Sequence, residues 1–268
     1  MDTNEVAVAI SDPGEVDRAE HNAGDRRVVA ISNVFAWLFP ILMVAICAQV
    51  VLRSSGVNQA WLDDMQWWLY GAAVLVGIAY AVTTDSHVRV DIFYDNYSKP
   101  KQQKINVFGL AWLFLPFVIL SWDITVHYAI SSVKAWEGSD SPNGLHNLWI
   151  LKVFMNVTFL IIGYATWSAY VRNLSALTEP LLWRKLFYAF PSVMFIVNLA
   201  VYYVAWWMVR LSSPPEVNDR QITRHWFFDE IEIGVEDIKI TIIVTLVLTI
   251  AIIGVARLMA RPSNSVEE

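Results

Sequence analysis

Two groups of side chains in this sequence have types and spacings that could carry chemistry. His87, Arg89 and Asp91 alternate along a short polar bridge, and they offer a base, a cation and a carboxylate for ion pairing or helix capping. In an extended backbone the alternation would place all three on one side. Asp123 and His127 are four residues apart, so a helix would place them on one face, where they could relay a proton. The rival interpretation of each group is a hydrated segment at the edge of an apolar run.

Other kinds of reactive site lack the residues that they need. A membrane haem typically needs two His that face each other across spans, and of the five His only His127 approaches an apolar run. Cys47 is the only cysteine, so the chain has no internal disulfide or redox pair. No Gly-rich phosphate loop is present in the sequence. We therefore expect no catalytic residue, no metal site and no cofactor. A self-sufficient small transporter or channel, and a haem or quinone anchor of an oxidoreductase, stay open as alternatives.

The elements that must position these groups are six apolar runs. The chain is 56% hydrophobic and 16% charged, with 13 Trp and a mean hydropathy of +0.43, which is typical of a membrane protein. About 20 apolar residues in a helix cross a hydrocarbon layer of about 30 Å. The runs free of Asp, Glu, Lys and Arg are 28–52, 65–84, 105–122, 153–171, 186–209 and 240–256. Because an unpaired backbone amide in lipid costs several kcal/mol and the runs lack the period-two alternation of barrel strands, we predict an all-α helix bundle of about six spans.

The basic residues predict an orientation for these spans. If the runs alternate across the membrane, 12 Lys and Arg lie on the side of the chain termini and 7 lie on the other side. Lys and Arg close to spans are retained in the cytoplasm, so both termini are predicted to be cytoplasmic. The polar residues 1–27 are predicted to form a disordered cytoplasmic tail, and the acidic loop 211–239 is predicted to be periplasmic. The first run is too long to be a cleaved signal.

Two further patterns concern packing. In the second run Ala73, Gly77 and Ala81 repeat every four residues, and such a stripe of small side chains lets another helix approach closely. We predict that this stripe packs against another helix, within the chain or of a partner, and that the polar bridge contacts a partner. Tryptophans at the predicted outer ends of the spans are typical of interfacial anchors. They are Trp61, Trp67, Trp68, Trp136 and Trp149.

The order of these features resembles the small membrane subunit of tripartite ATP-independent periplasmic (TRAP) transporters. The resemblance covers residues 28–175, and its most specific element is the polar bridge of His87, Arg89 and Asp91. Further elements support it along the chain. They are Trp61, Leu62, Asp63 and Asp64 before the second run, Trp136, Glu137 and Gly138 after the third, and Pro142, Trp149 and Lys152 at the entry to the fourth.

The resemblance implies a function as well as a fold. Small subunits of this family have four spans with cytoplasmic termini, in the bacterial inner membrane. They act as a scaffold for a large membrane subunit, which carries substrate and ions and is supplied by a periplasmic substrate-binding protein. The chain departs from this pattern because residues 176–268 add two more spans and the acidic loop. We therefore expect an enlarged subunit without enzymatic activity and with membrane lipid, but no nucleic acid, around it.

Overall fold

The computed structural model describes residues 18–86, 91–214, 216–233 and 236–260. Within these residues, six helical segments are long and apolar enough to span a membrane, which confirms the predicted all-α polytopic fold. We call them spans one to six. They are Ala23–Ser54, Ala60–Thr83, Lys99–Lys134, Trp149–Ser175, Phe190–Ser212 and Ile240–Met259. Shorter helices are Asp91–Tyr94, Leu182–Tyr188 and Asp219–Ile222, with a 3-10 turn at Trp226–Phe228.

Span one begins earlier than its apolar run. Asn22 caps the helix by accepting hydrogen bonds from the backbone N–H groups of Gly24 and Asp25, and Asp25 accepts one from the Asn22 N–H. This capping box pairs donors that a helix start leaves free. The structure therefore differs from the predicted disordered tail at residues 23–27, which are helical, whereas residues 1–17 lie outside the described residues. The helix is interrupted at Trp37, just before Pro40, which has no backbone N–H to donate.

Spans two and three end in the same way. Asp85 and Trp136 lie two residues beyond the last residues of their helices and have φ of 52° and 49°. The next residues, Ser86 and Glu137, donate backbone hydrogen bonds to carbonyls five residues earlier. This is a Schellman ending, which usually uses Gly at the left-handed position. This ending places the Asp85 and Trp136 side chains at the ends of their helices, where both make the contacts described below.

Span three changes its helical pitch at its centre. Gly109–Phe114 form a π-helical segment, and Pro116 lies two residues after its end. Continued π geometry would pair the N–H of residue 116 with the Ala111 carbonyl, but proline has no N–H. The buried Ser192 hydroxyl of span five donates to this carbonyl instead. The C-terminal extension therefore completes the backbone bonding of span three.

Span four is the centre of the bundle. It packs against spans one, two and three. One buried cluster joins these four spans and contains Val28, Ala79, Val118, Ile162 and Ala165. A second cluster joins spans three and four to the extension and contains Val107, Ala111, Tyr170, Leu174, Ala189 and Val193. Span five lies against span three, and span six lies against span five.

The extension differs from its predicted boundaries in two places. The fifth apolar run starts at residue 186, yet span five starts at Phe190, because the chain turns at Ala189 and Pro191 occupies the first turn of the new helix. The predicted loop 211–239 contains an antiparallel hairpin, β1 (Glu230–Ile233) with β2 (Glu236–Lys239). Glu230 opposes Lys239 in its register, which favours pairing.

Candidate functional site

The six spans place their connections alternately on two rims. The terminal rim contains residues 18–22, 84–86, 91–98, 176–189 and 260, and the aromatic rim contains residues 55–59, 135–148 and the described part of 213–239. Each rim carries a network of charged side chains that ties several spans together. The two networks are the candidate functional sites.

Arg172 is the centre of the network at the terminal rim. Its Nη1 donates to Asp25 Oδ2 of span one at 2.7 Å, and its Nη2 donates to the Thr83 carbonyl at the end of span two at 2.9 Å. A weaker contact of 3.4 Å joins Nη2 to Asp85 Oδ2. The Asp25 side chain is fully buried, and the Arg172 side chain is 13% exposed. One guanidinium therefore holds the ends of spans one, two and four together.

The cap of span one supports this arrangement. The Asn22 side-chain amide donates to the Ser168 carbonyl at 3.0 Å, and the Ser168 hydroxyl donates to Asn22 Oδ1 at 2.6 Å. Gly24 lies so close that a Cβ built on it would be 2.3 Å from Ser168 Oγ. The glycine therefore permits the close approach of span one to span four that brings Asp25 to Arg172.

Sequence reasoning missed this network. The sequence pattern places Asp25 in the predicted tail, and Arg172 is one of the 12 basic residues that predict the orientation. The spacing of Asn22 and Asp25, a polar cap followed three residues later by an acid, is the signal that could have placed Asp25 inside the first helical turn.

The polar bridge is only partly described. His87 and Arg89 lie outside the described residues, and Asp91 is the first residue of the short helix Asp91–Tyr94. The predicted placement of the three side chains on one side therefore stays a prediction.

Glu137 is the centre of the network at the aromatic rim. It accepts hydrogen bonds from the Lys152 ammonium and, at 2.5 Å, from the Ser132 hydroxyl. The same ammonium lies 3.9 Å from the centre of the Tyr128 ring. The loop after span three is thereby fixed to spans three and four.

Two acids near the start of span two, Asp63 and Asp64, make further contacts between the spans and this loop. Asp64 Oδ2 accepts a hydrogen bond from the Leu145 N–H at 2.8 Å, which ties the same loop to span two. Asp63 accepts from the Gln49 side chain at 2.9 Å and thus joins spans one and two. The acidic pair before the second run is therefore structural in this chain.

The predicted tryptophan anchors lie at the start of spans two and four and after span three. Trp67 and Trp136 are 70% and 72% exposed. Trp136 contacts Trp149 edge to face, with 5.8 Å between ring centres. Trp61 is also exposed, whereas the Nε1 of Trp68 is buried and has no hydrogen-bond partner within the described residues. Their role as membrane anchors stays a prediction.

We expect the loop at residues 136–148 to loosen in acid. Hydrogen bonds from Lys152 and then Ser132 lower the pKa of Glu137 below its ordinary value of 4.5. A carboxyl with a lower pKa in the folded state stabilises the fold fully above about pH 4.5, and this contribution is lost as the pH falls through the folded-state pKa. Amide hydrogen exchange in the loop, corrected for intrinsic rates, will accelerate over that window.

Two variants test the assignment of this effect to Glu137. Glu137→Gln should exchange faster at neutral pH and lose most of the acid dependence. Asp140→Asn, which changes an exposed carboxylate of the same loop, should behave as the wild type. An acid dependence that survives in Glu137→Gln contradicts the assignment.

The three residues of the small-residue stripe differ in their burial. Ala73 is 3% exposed and packs inside the chain. A Cβ built on Gly77 would have no atom within 4 Å, so this position faces open space. Ala81 is half-buried. The stripe is therefore no single surface, and Gly77 is the part of it that a partner could reach.

The Asp123 and His127 pair receives a partner from the extension. The Tyr203 hydroxyl of span five donates to Asp123 Oδ1 at 2.6 Å and lies 3.0 Å from His127 Nε2. Tyr203 is not among the candidate residues of the sequence analysis. The three side chains join span three to span five. In the part of the chain that the structure describes, no group of three or more His, Cys, Asp or Glu is placed to hold a metal ion.

Six spans with charged networks at both rims define the class of the protein, a multi-pass helical membrane protein. The family model described as "Tripartite ATP-independent periplasmic transporters, DctQ component" matches residues 42–176, about half of the chain. The chain belongs to this family, as its polar bridge and Trp-Glu-Gly loop predicted, and it is a component of a TRAP transporter. No curated protein and no solved structure matches the chain.

Proposed function

We propose that this chain is the fixed scaffold of an ion-coupled TRAP transporter in the bacterial inner membrane. In this proposal a large membrane subunit carries small organic acids or related solutes together with ions, and a periplasmic binding protein delivers them. The chain itself performs no chemistry. It anchors and braces the subunit that moves.

One observation carries this proposal, namely that the charged networks lie at the rims and join spans to one another. Arg172 ties spans one, two and four at one rim, and Glu137 ties spans three and four at the other. An ion-coupled carrier that works alone is expected to place ionisable groups near the membrane midplane, where function offsets their cost. Within the six apolar runs the sequence has no Asp, Glu, Lys or Arg. A bundle bonded in this way suits the static part of an elevator-type carrier.

The orientation is testable with two single cysteines in a Cys47→Ser background. The excess of basic residues on the side of the termini predicts that this rim is cytoplasmic. Ser98 and Glu216 are exposed on opposite rims. We expect an impermeant maleimide to label Glu216→Cys on intact cells and to label Ser98→Cys only after the membrane is opened. The reverse pattern would show that the proposed orientation is inverted.

The role itself is tested by purification and reconstitution. We expect an affinity-tagged chain to co-purify with a large membrane subunit and to restore solute uptake only together with it and a binding protein. Substrate flux by the chain alone in liposomes would instead identify a self-sufficient transporter. A haem absorption band in the purified chain would identify an oxidoreductase anchor, and either result would overturn the scaffold proposal.

A further inference from the structure

A crevice of about 630 Å³ lies between spans two and three next to the terminal rim. Ile78 and Val82 of span two form one wall, and Leu110 and Phe114 of span three form the other. The crevice exists because span four packs against both spans, which leaves them with few direct contacts to each other. Its volume falls within the range of about 300–1,000 Å³ that is typical of small-molecule sites.

The crevice is about as deep as one membrane leaflet. Both Ile105 and Phe114 line it, and nine residues of helix at a rise of about 1.5 Å each cover about 14 Å. Half of a hydrocarbon layer of about 30 Å is about 15 Å. The crevice therefore begins where the apolar part of span three begins and ends near the middle of the membrane. A lipid of that leaflet has the right length to occupy it.

A polar cavity continues the crevice into the rim. It has a volume of about 560 Å³ and shares Asp85, Tyr94 and Asn106 with the apolar crevice. Together the two cavities form one amphipathic site, which has an apolar slot in the membrane and a polar chamber at its surface.

The charges of the polar chamber select among headgroups. Its described lining includes three carboxylates, from Glu20, Asp85 and Asp95, and one ammonium, from Lys99. Arg172 pairs with Asp85 but also with Asp25, so the described part of the lining keeps its acidic excess. A headgroup that carries both an ammonium and a phosphate complements this arrangement, whereas a purely anionic headgroup meets an acidic surface.

We propose that this site binds one phospholipid with an ethanolamine headgroup. One acyl chain lies between Ile78 and Leu110, the ammonium lies near Asp95 and Glu20, and the phosphate lies near Lys99. Lys99 is also the first residue of the span three helix, and the positive end of the helix dipole favours an anion there. The bound lipid fills the gap that span four leaves between its two neighbours.

Native mass spectrometry of the purified full chain tests this proposal. The chain is exchanged into detergent that contains equal amounts of phosphatidylethanolamine and phosphatidylglycerol. We expect one retained phosphatidylethanolamine per chain, in about tenfold preference, which corresponds to about 1.4 kcal/mol. Replacing both acids, by Glu20→Gln and Asp95→Asn, should bring the two lipids close to equal retention without abolishing binding.

A pair of matched variants distinguishes lipid that is bound in the crevice from lipid that surrounds the whole chain. Ile78→Trp fills the crevice and should lower lipid retention about tenfold, the effect of removing roughly two methylene groups from contact. Val74→Trp is the control, because Val74 lies one turn away, is also 39% exposed and does not line the crevice. Equal retention of the two lipids by the wild type, a preference for phosphatidylglycerol, or unchanged retention in Ile78→Trp would overturn the proposal. Loss of the lipid on addition of the large membrane subunit would also overturn it, because a partner helix would then be the occupant.

Discussion

Replacing Arg172 by methionine is expected to destabilise the bundle by about 3 to 5 kcal/mol, the usual cost of leaving one partner of a buried ion pair without its counter-charge. The Asp25 carboxylate is fully buried, and its Oδ1 already has no hydrogen-bond partner within the described residues. Without the guanidinium, Oδ2 retains only the Asn22 N–H among the hydrogen bonds that the structure gives it. Unfolding of the purified chain by sodium dodecyl sulfate in mixed micelles measures the decrease in the free energy of unfolding.

A double-mutant cycle shows whether the two charges act as a pair. Asp25→Asn keeps the shape of the cap and removes the charge, so Asp25→Asn with Arg172→Met should lose less stability than the sum of the two single variants. Glu179→Gln is the control, because Glu179 is 81% exposed and lies 3.9 Å from Arg184. A pair of this kind contributes at most about 1 kcal/mol. Additive losses in the cycle would contradict the coupling.

Replacing Gly77 by leucine is expected to separate the chain from the large subunit that we propose as its partner, while leaving the chain itself folded. The Gly77 position faces open space, so a leucine fits the isolated chain, and it favours helix formation by about 1 kcal/mol over glycine. If another helix packs there, overpacking costs about 1–3 kcal/mol, or a loss of association of about fivefold to about 150-fold. We expect normal membrane abundance, with loss of the co-purifying subunit and of uptake.

The control for this variant is the same substitution elsewhere. A Cβ built on Gly254 of span six would likewise have no atom within 4 Å, and Gly254→Leu should leave the complex intact. Val76, the neighbour of Gly77, is unsuitable because it is 1% exposed and a larger side chain there would disturb the interior. If Gly77→Leu co-purifies and transports as the wild type does, the partner must contact a different face of the chain.

The rim networks show how far sequence patterns reach. Glu137 and Lys152 could be picked out because they lie in the loop that follows span three and at the entry to span four, as in the family pattern, and the structure joins them. Asp25 and Arg172 are 147 residues apart, and no local pattern connects them. Their pairing depends on the close approach at Gly24, which is a property of two packed helices.

The C-terminal extension also shows what sequence patterns can and cannot predict. Its two spans were predicted from hydropathy alone, and the structure confirms their number. Their attachment could not be predicted, because it rests on single polar contacts between spans. Ser192 donates to the carbonyl that Pro116 leaves free, and Tyr203 donates to Asp123. Each contact requires a rotation and a register of span five that apolar composition leaves undetermined.

The sequence by itself determined the membrane class, the six spans and the family, because hydropathy, length and short motifs are sums over neighbouring residues. Only the tertiary structure decided which charges pair, that Ala73 is buried while Gly77 is open, and that spans two and three leave a crevice. The physical reason is that the hydrophobic effect places an apolar helix in the membrane whichever of its faces meets a neighbouring helix. Which faces then meet is decided by close packing and by the few polar groups that must find a partner.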